Sequence, residues 1–368
     1  MKTAVRLLLS IVSAASIISC SRSYNNNRES ITHIDLESIN NEDIDAAIIL
    51  NWDKEFFAPG SDSSGIGLMS SIGKIIIRDS SYYILDPYRH NLLRFSLTGN
   101  IQKQIGRSGR GGNEYLTIND FGINNAGIIT ILDGQSDYFY QYNIDGSFIK
   151  KNPMNTEWGR VCFLGSGEVL LEREPWDDTP GLGASKLVIC DSTLSVTDIL
   201  AYYSDEYDKN FEFPYIGFND YSGIISYVKP IDDIIYVLDP KGNRRKIVVD
   251  YGKETVPDSY KKDIERNLPD IIASKSFLVN GVYLDNNMIV MTSFWKGALV
   301  DWLITLNDQK KYCLDDIGLR LLGASCDRLF FAIEQFEKAD RVLNLPPYYI
   351  KEKERGNPVV LVLKKPIE

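Results

Sequence analysis

Tyr83-Ile84-Leu85-Asp86, followed by Leu93-Arg94-Phe95-Ser96-Leu97-Thr98-Gly99-Asn100-Ile101-Gln102-Lys103, returns 47 residues later. The copy reads Thr130-Ile131-Leu132-Asp133, then Tyr140-Gln141-Tyr142-Asn143-Ile144-Asp145-Gly146-Ser147-Phe148-Ile149-Lys150. Asp86 maps to Asp133, Phe95 to Tyr142, Gly99 to Gly146 and Lys103 to Lys150, without a gap. A fixed period near 50 residues, made of short apolar runs and Gly turns, is the signature of a propeller blade.

Outward from this repeat the same unit recurs. Residues 74–78, 82–86, 91–97 and 101–105 are four short runs bounded by Asp, Ser, Pro and a Thr98-Gly99-Asn100 turn, one four-stranded blade. Residues 120–150 make the second. A looser third runs through Val161, Leu170, Ile189 and Leu200. The fourth starts at Gly223 and ends at Asp250, the fifth covers 275–305 and the sixth 322–365. Six units over roughly 320 residues give about 53 per blade, within the propeller range. Residues 47–52 and 359–364 are the expected pair of terminal strands, sharing one blade so that the ring has no open edge. Two stretches interrupt the strand pattern, 256–268 and 334–356, and read as short helical insertions. The fold class is all-β, a six-bladed β-propeller.

The N-terminus has another character. Lys2 and Arg6 precede an apolar stretch from Leu7 to Ile18, too short for an ordinary membrane span. It ends in Ile17-Ile18-Ser19-Cys20, the form of a lipobox, at which Cys20 would be acylated and become the first residue of the mature chain. The competing reading is a plain signal peptide with an incidental Cys. The expected division is a leader over 1–19, a lipidated Cys with a flexible polar tether over 20–43, and the propeller over 44–368. Several acyl chains on one Cys hold firmly to a bilayer. Ser21 after Cys20, with no acidic run, points to the outer membrane on either face.

The chain carries 40 basic and 50 acidic residues, a net charge of −10. That balance excludes a nucleic-acid partner, which needs Lys and Arg in excess. His33 and His90 are the only histidines, so a His-rich zinc site is out of reach, while an all-oxygen Ca²⁺ site stays open. Cys162, Cys190, Cys313 and Cys326 could pair in an oxidising compartment, but Cys162 and Cys190 sit in apolar runs and read as buried free thiols.

Three landmarks carry a family resemblance: Ile105 to Tyr115 with Asp120-Phe121-Gly122-Ile123, then Asp250-Tyr251-Gly252-Lys253 before Pro257, then Asn357-Pro358-Val359-Val360-Leu361. They resemble the six-bladed propeller lipoproteins of Bacteroidetes, related to NHL and TolB-like propellers, over roughly residues 44–365. The resemblance implies a fold and an envelope location, and little about activity.

Candidate sites are few. Gly106 to Tyr115 holds Arg107 and Arg110 among glycines and could cradle an anion, or simply form the turn between blades. Trp158, Trp176 and Trp295 lie in or near loop-like sequence, where indoles stack on sugars or grip peptides, or else pack between blades. Asp86, Asp133 and Asp239 read as equivalent turn caps. No catalytic triad is written in the chain. The leading expectation is a non-catalytic envelope lipoprotein whose propeller binds a glycan, peptide or protein. The alternatives are a metal-dependent lactonase or lyase with channel carboxylates, and a structural scaffold of an envelope complex.

Overall fold

The structure is a computed structural model and describes residues 29–42, 51–60, 69, 71–205 and 207–366. The leader, Cys20 and the expected terminal strand up to residue 50 lie outside the described residues. Six antiparallel sheets follow one another at 75–104, 120–153, 158–202, 218–250, 277–313 and 319–364. The sixth is completed by Asp53–Phe57, which pairs antiparallel with Val360–Lys364. The ring therefore closes by shared termini, using 53–57. Phe57 is fully buried there and stacks on Tyr82 of blade 1 at 4.2 Å, so closure is also an apolar contact.

Each blade runs from an inner strand to an outer one, and the inner strands neighbour each other around the ring. Polar side chains stitch them. Lys74 of blade 1 donates to Asp120 at 2.9 Å and to the Phe121 and Val161 carbonyls, tying three blades. Asn219 of blade 4 donates to Asn280 Oδ1 at 2.8 Å and to the Gly281 carbonyl. Its own Oδ1 accepts from the Ala324 N–H at 2.9 Å. The repeat's turn glycines, Gly99 and Gly146, both take positive φ (88° and 81°), and a Cβ on Gly99 would lie 2.5 Å from the Ala58 carbonyl oxygen.

Two readings of the sequence change. Residues 30–42, expected as tether, form strands. Ser30–Asp35 pairs in parallel with the outer strand of blade 4, and Asn40–Glu42 with that of blade 5. Ile34 and Leu36 of this segment are buried against Val249, Met291, Trp302 and Ile304 of blades 4 and 5, so the segment has enough apolar anchorage to dock despite its polar composition. Blade 4 begins earlier than its reading, at Phe218–Tyr221. That moves Asp239 to the turn after the third strand, whereas Asp86 and Asp133 end the second. The insertions fold as Asp258–Lys261, Ile264–Ser274, Phe336–Leu343 and Pro347–Glu354. Cys162, Cys190, Cys313 and Cys326 are all free thiols; Cys190 is buried and Cys326 exposed.

Candidate ligand groove between blades 2 and 3

The strand register decides which side chains of blades 1 and 2 face the next blade. In blade 1, Tyr83, Arg94 and Lys103 stand in one cross-strand row, and Leu85 pairs with Leu92 in the next. Ile105, whose N–H bonds to Leu92, extends that second row. Tyr83, Leu85, Leu92 and Ile105 pack into the core shared with blade 2. Tyr83 Oη and Arg94 Nη1 both reach the Ile144 carbonyl, at 3.4 and 3.3 Å, and seal the interface.

Blade 2 repeats these rows with different residues. Thr130, Gln141 and Lys150 form the first, and Leu132, Phe139 and Asn152 the second. The filling tyrosine has become Thr130 and the filling isoleucine Asn152. Interiors are close-packed, so two shortened side chains facing a fixed neighbour leave space. A groove of about 790 Å³ lies there, between the blade 2 face and Val161, Phe163 and Leu194 of blade 3. Trp158, Met154 and the Asn124–Ala126 and Ser192–Ser195 turns complete its lining.

The lining has one ionisable side chain, Lys150, and is otherwise amide, hydroxyl and apolar. Among the described residues, the Lys150 ammonium, the Asn152 side-chain amide and the Thr156 hydroxyl make no hydrogen bond within the chain. The groove thus offers unpartnered donors and acceptors above an apolar floor of Phe139, Trp158 and Phe163.

The residues singled out in the sequence scatter. Trp158 belongs to the groove. Trp176 is 43% exposed and donates its indole N–H to Glu157, the residue before Trp158. Trp295 is on blade 5, packed against Tyr251 at 5.7 Å and Trp302 at 6.2 Å. Arg107 bonds to Glu114 Oε1 at 2.6 Å, and Arg110 is exposed. Glu114 also accepts from the Gly111 N–H at 2.7 Å; that bond, with Arg107, holds its carboxyl below the usual range. The glycine loop cradles an anion from its own chain.

A second polar centre lies between blades 3 and 4. Lys229 and Glu172 are fully buried and bonded at 2.7 Å; Lys229 also reaches Tyr215 Oη at 2.9 Å and Glu212 at 3.2 Å. Burial alone would raise the Glu172 carboxyl, but Lys229 and Arg160 outweigh it and the net direction is down. The Arg160 guanidinium lies 4.4 Å over the Tyr215 ring. Glu174, 5% exposed, is pushed up to about 8, first by burial and then by Glu212 and Glu172. Two cations therefore balance two carboxylates, and the third acid keeps its proton at neutral pH.

Where the inner strands meet, a space of about 60 Å³ is lined by Ile75, Ile123, Phe163 and Phe218 together with the polar Lys74, Cys162, Asp220 and Ser325. Among the described residues no group of three His, Cys, Asp or Glu is placed to hold an ion.

A family described as "Domain of unknown function (DUF4934)" matches residues 62–362. The chain belongs to this family. No curated protein matches it. A putative exported protein from Bacteroides fragilis superposes with a TM-score of 0.70 at 16% identity, covering 92% of this chain and 100% of that one. A member of the DUF4221 family from Bacteroides vulgatus superposes at 0.52, with 12% identity over 85% of this chain and 96% of that one. These likenesses establish for the DUF4934 chain the six-bladed propeller expected from its repeat. The groove was legible in principle, because aligning the repeat exposes Tyr83 against Thr130 and Ile105 against Asn152.

Proposed function

We propose that this DUF4934 chain is an exported, lipid-anchored propeller, akin to NHL and TolB-like propellers, that binds a ligand in the groove between blades 2 and 3 without transforming it. The observation that carries the reading is the repeat itself: two consecutive blades share a pattern, and only the second has lost the side chains that fill the space beside it. The groove lining holds Lys150 and no His, Cys, Asp or Glu, a set that suits binding better than acid–base chemistry.

The lipobox at Cys20 and the likeness to an exported protein support an envelope location. Eight residues lie between Cys20 and Glu29, and the nine steps of chain reach at most about 32 Å at the extended rise per residue. Ser30 pairs with Arg245 at the start of blade 4's outer strand, so the tether would leave beside the Asp239–Asn243 turn. The propeller would then stand close to the bilayer by that rim.

Two experiments test this. Metabolic labelling with a palmitate analogue should mark the parent chain and not Cys20→Ala; equal labelling removes the anchor. A thermal-shift screen of sugars, peptides and small metabolites should yield compounds that stabilise the parent and not Thr130→Tyr/Asn152→Ile, which rebuilds the blade 1 rows. Stabilisers that act equally on both would remove the groove as the site.

A further inference from the structure

Resting on the groove as the ligand site, we infer that its occupant is a short neutral oligosaccharide. Charge comes first. The chain has 50 acidic residues, yet none lines the groove, so a ligand ammonium or guanidinium would be buried without a counter-charge. Lys150 is the single cation, and a phosphate or carboxylate there would meet neither an Arg fork nor a helix N-terminus. The ligand this lining suits is uncharged.

Hydrogen-bonding capacity comes second. Asn152 and Gln141 offer an acceptor and two donors each, and Thr130 and Thr156 a hydroxyl each that both donates and accepts. The Gln141 amide touches Thr130 only at 3.5 Å, and Asn152 and Thr156 are unpartnered among the described residues. Such amphoteric groups match vicinal hydroxyls, which also donate and accept. Phe139, Trp158 and Phe163 behind them supply the apolar surface on which the C–H face of a sugar ring rests.

A peptide strand is disfavoured by the backbone beside the groove. Among the described residues Phe148–Pro153 is the unpaired outer edge of blade 2, where an added strand would have to pair. It ends in Pro153, which has no N–H to donate, and carries Lys150 and Lys151 in its middle. The chain's own added strands sit elsewhere, on blades 4 and 5. A volume of about 790 Å³ suits a compact ligand of a few rings.

The test uses the mature chain in detergent with four neutral trisaccharides (malto-, cello-, xylo- and N-acetylglucosamine-based), trigalacturonate as the charged counterpart, and a set of uncharged hexapeptides, by isothermal titration. At least one neutral trisaccharide should bind. Its affinity should fall about tenfold in Asn152→Ala, as expected for the loss of one hydrogen-bonding side chain, and vanish in Thr130→Tyr/Asn152→Ile. Circular dichroism and unfolding midpoint verify that both variants fold. Silence of all four neutral sugars overturns the assignment. Binding of trigalacturonate or of a hexapeptide that the filled variant loses overturns the sugar but keeps the groove. Sugar binding that survives in the filled variant overturns the groove itself.

Discussion

Replacing Glu174 by Gln isolates the electrostatics of the centre between blades 3 and 4. Glutamine copies the protonated acid in shape and removes its ionisation. The folded carboxyl titrates near 8, against an ordinary 4.5, because burial, Glu212 and Glu172 together outweigh Lys229 and Arg160. An acid raised on folding leaves stability intact below its unfolded pKa and erodes it as pH climbs toward the folded one. At pH 7.5 the unfolded chain has released this proton and the folded chain has kept it. Three pH units at ~1.36 kcal/mol each make a penalty of ~4 kcal/mol there, falling below ~1 kcal/mol at pH 5. Glu174→Gln should therefore unfold at higher urea than the parent at pH 7.5 and at nearly the same urea at pH 5, followed by tryptophan fluorescence. The gain must grow with pH. A gain that is equal at both values, or a loss at pH 7.5, refutes the argument that a proton is held at this site.

Four further outcomes follow from the packing. Lys229→Met strips the fully buried Glu172 of its cation and should cost ~3–5 kcal/mol in urea unfolding, while adding Glu172→Leu should recover at least ~2 kcal/mol of it. Asn219→Ala removes three hydrogen bonds that join blades 4, 5 and 6 and should cost ~2–4 kcal/mol, with hydrogen exchange rising first at Gly281 and Ala324. Leu36→Ala should destabilise by ~2–5 kcal/mol, because Leu36 is fully buried where the docked N-terminal segment packs against blades 4 and 5; a flexible tether would show no change on differential scanning calorimetry. Thr130→Tyr alone should raise the unfolding midpoint by the burial of one aromatic ring, ~1–2 kcal/mol, if the groove is the unfilled counterpart of the Tyr83 contact.

The fold was legible because strand patterns and turns are local. Asp86 and Asp133, Gly99 and Gly146 keep their spacing since each serves a turn within its own blade: Asp133 accepts from the Gln135 and Ser136 N–H groups, and both glycines take a left-handed conformation. What stayed hidden depends on contacts between distant segments. Closure of the ring against 359–364 was legible, but the strand that pairs there is Asp53–Phe57 rather than 47–52, and Ser30–Asp35 docks on an edge that only the folded ring presents. Lys229, Glu172 and Arg160 look like ordinary solvated charges in the sequence, and become a buried centre only when blades 3 and 4 meet. The inner strand Phe218–Tyr221 was missed because Asn219 and Asp220 interrupt its apolar pattern, and the interruption is functional to the ring, since Asn219 is the stitch that holds three blades.

The groove lies between these cases, and its logic differs from that of a motif. A motif announces a site by what is present; here the site is announced by what one repeat lacks relative to its neighbour. Matched blades impose matched interfaces, so a core-facing position that is Tyr in one copy and Thr in the next must be compensated from the opposite blade or left open. Blade 3 does not compensate: Val161, Phe163 and Leu194 stand where a larger side chain would be needed, and about 790 Å³ remains. An unfilled interface weakens a ring that is otherwise tightly stitched, and a bound ligand would restore by contact what the substitutions removed. Stability is thereby tied to occupancy: a ligand of the groove should raise the unfolding midpoint of the parent and leave that of Thr130→Tyr/Asn152→Ile, whose groove is filled, unchanged. Equal shifts in the two proteins would show that the space between blades 2 and 3 is a packing accident rather than a seat.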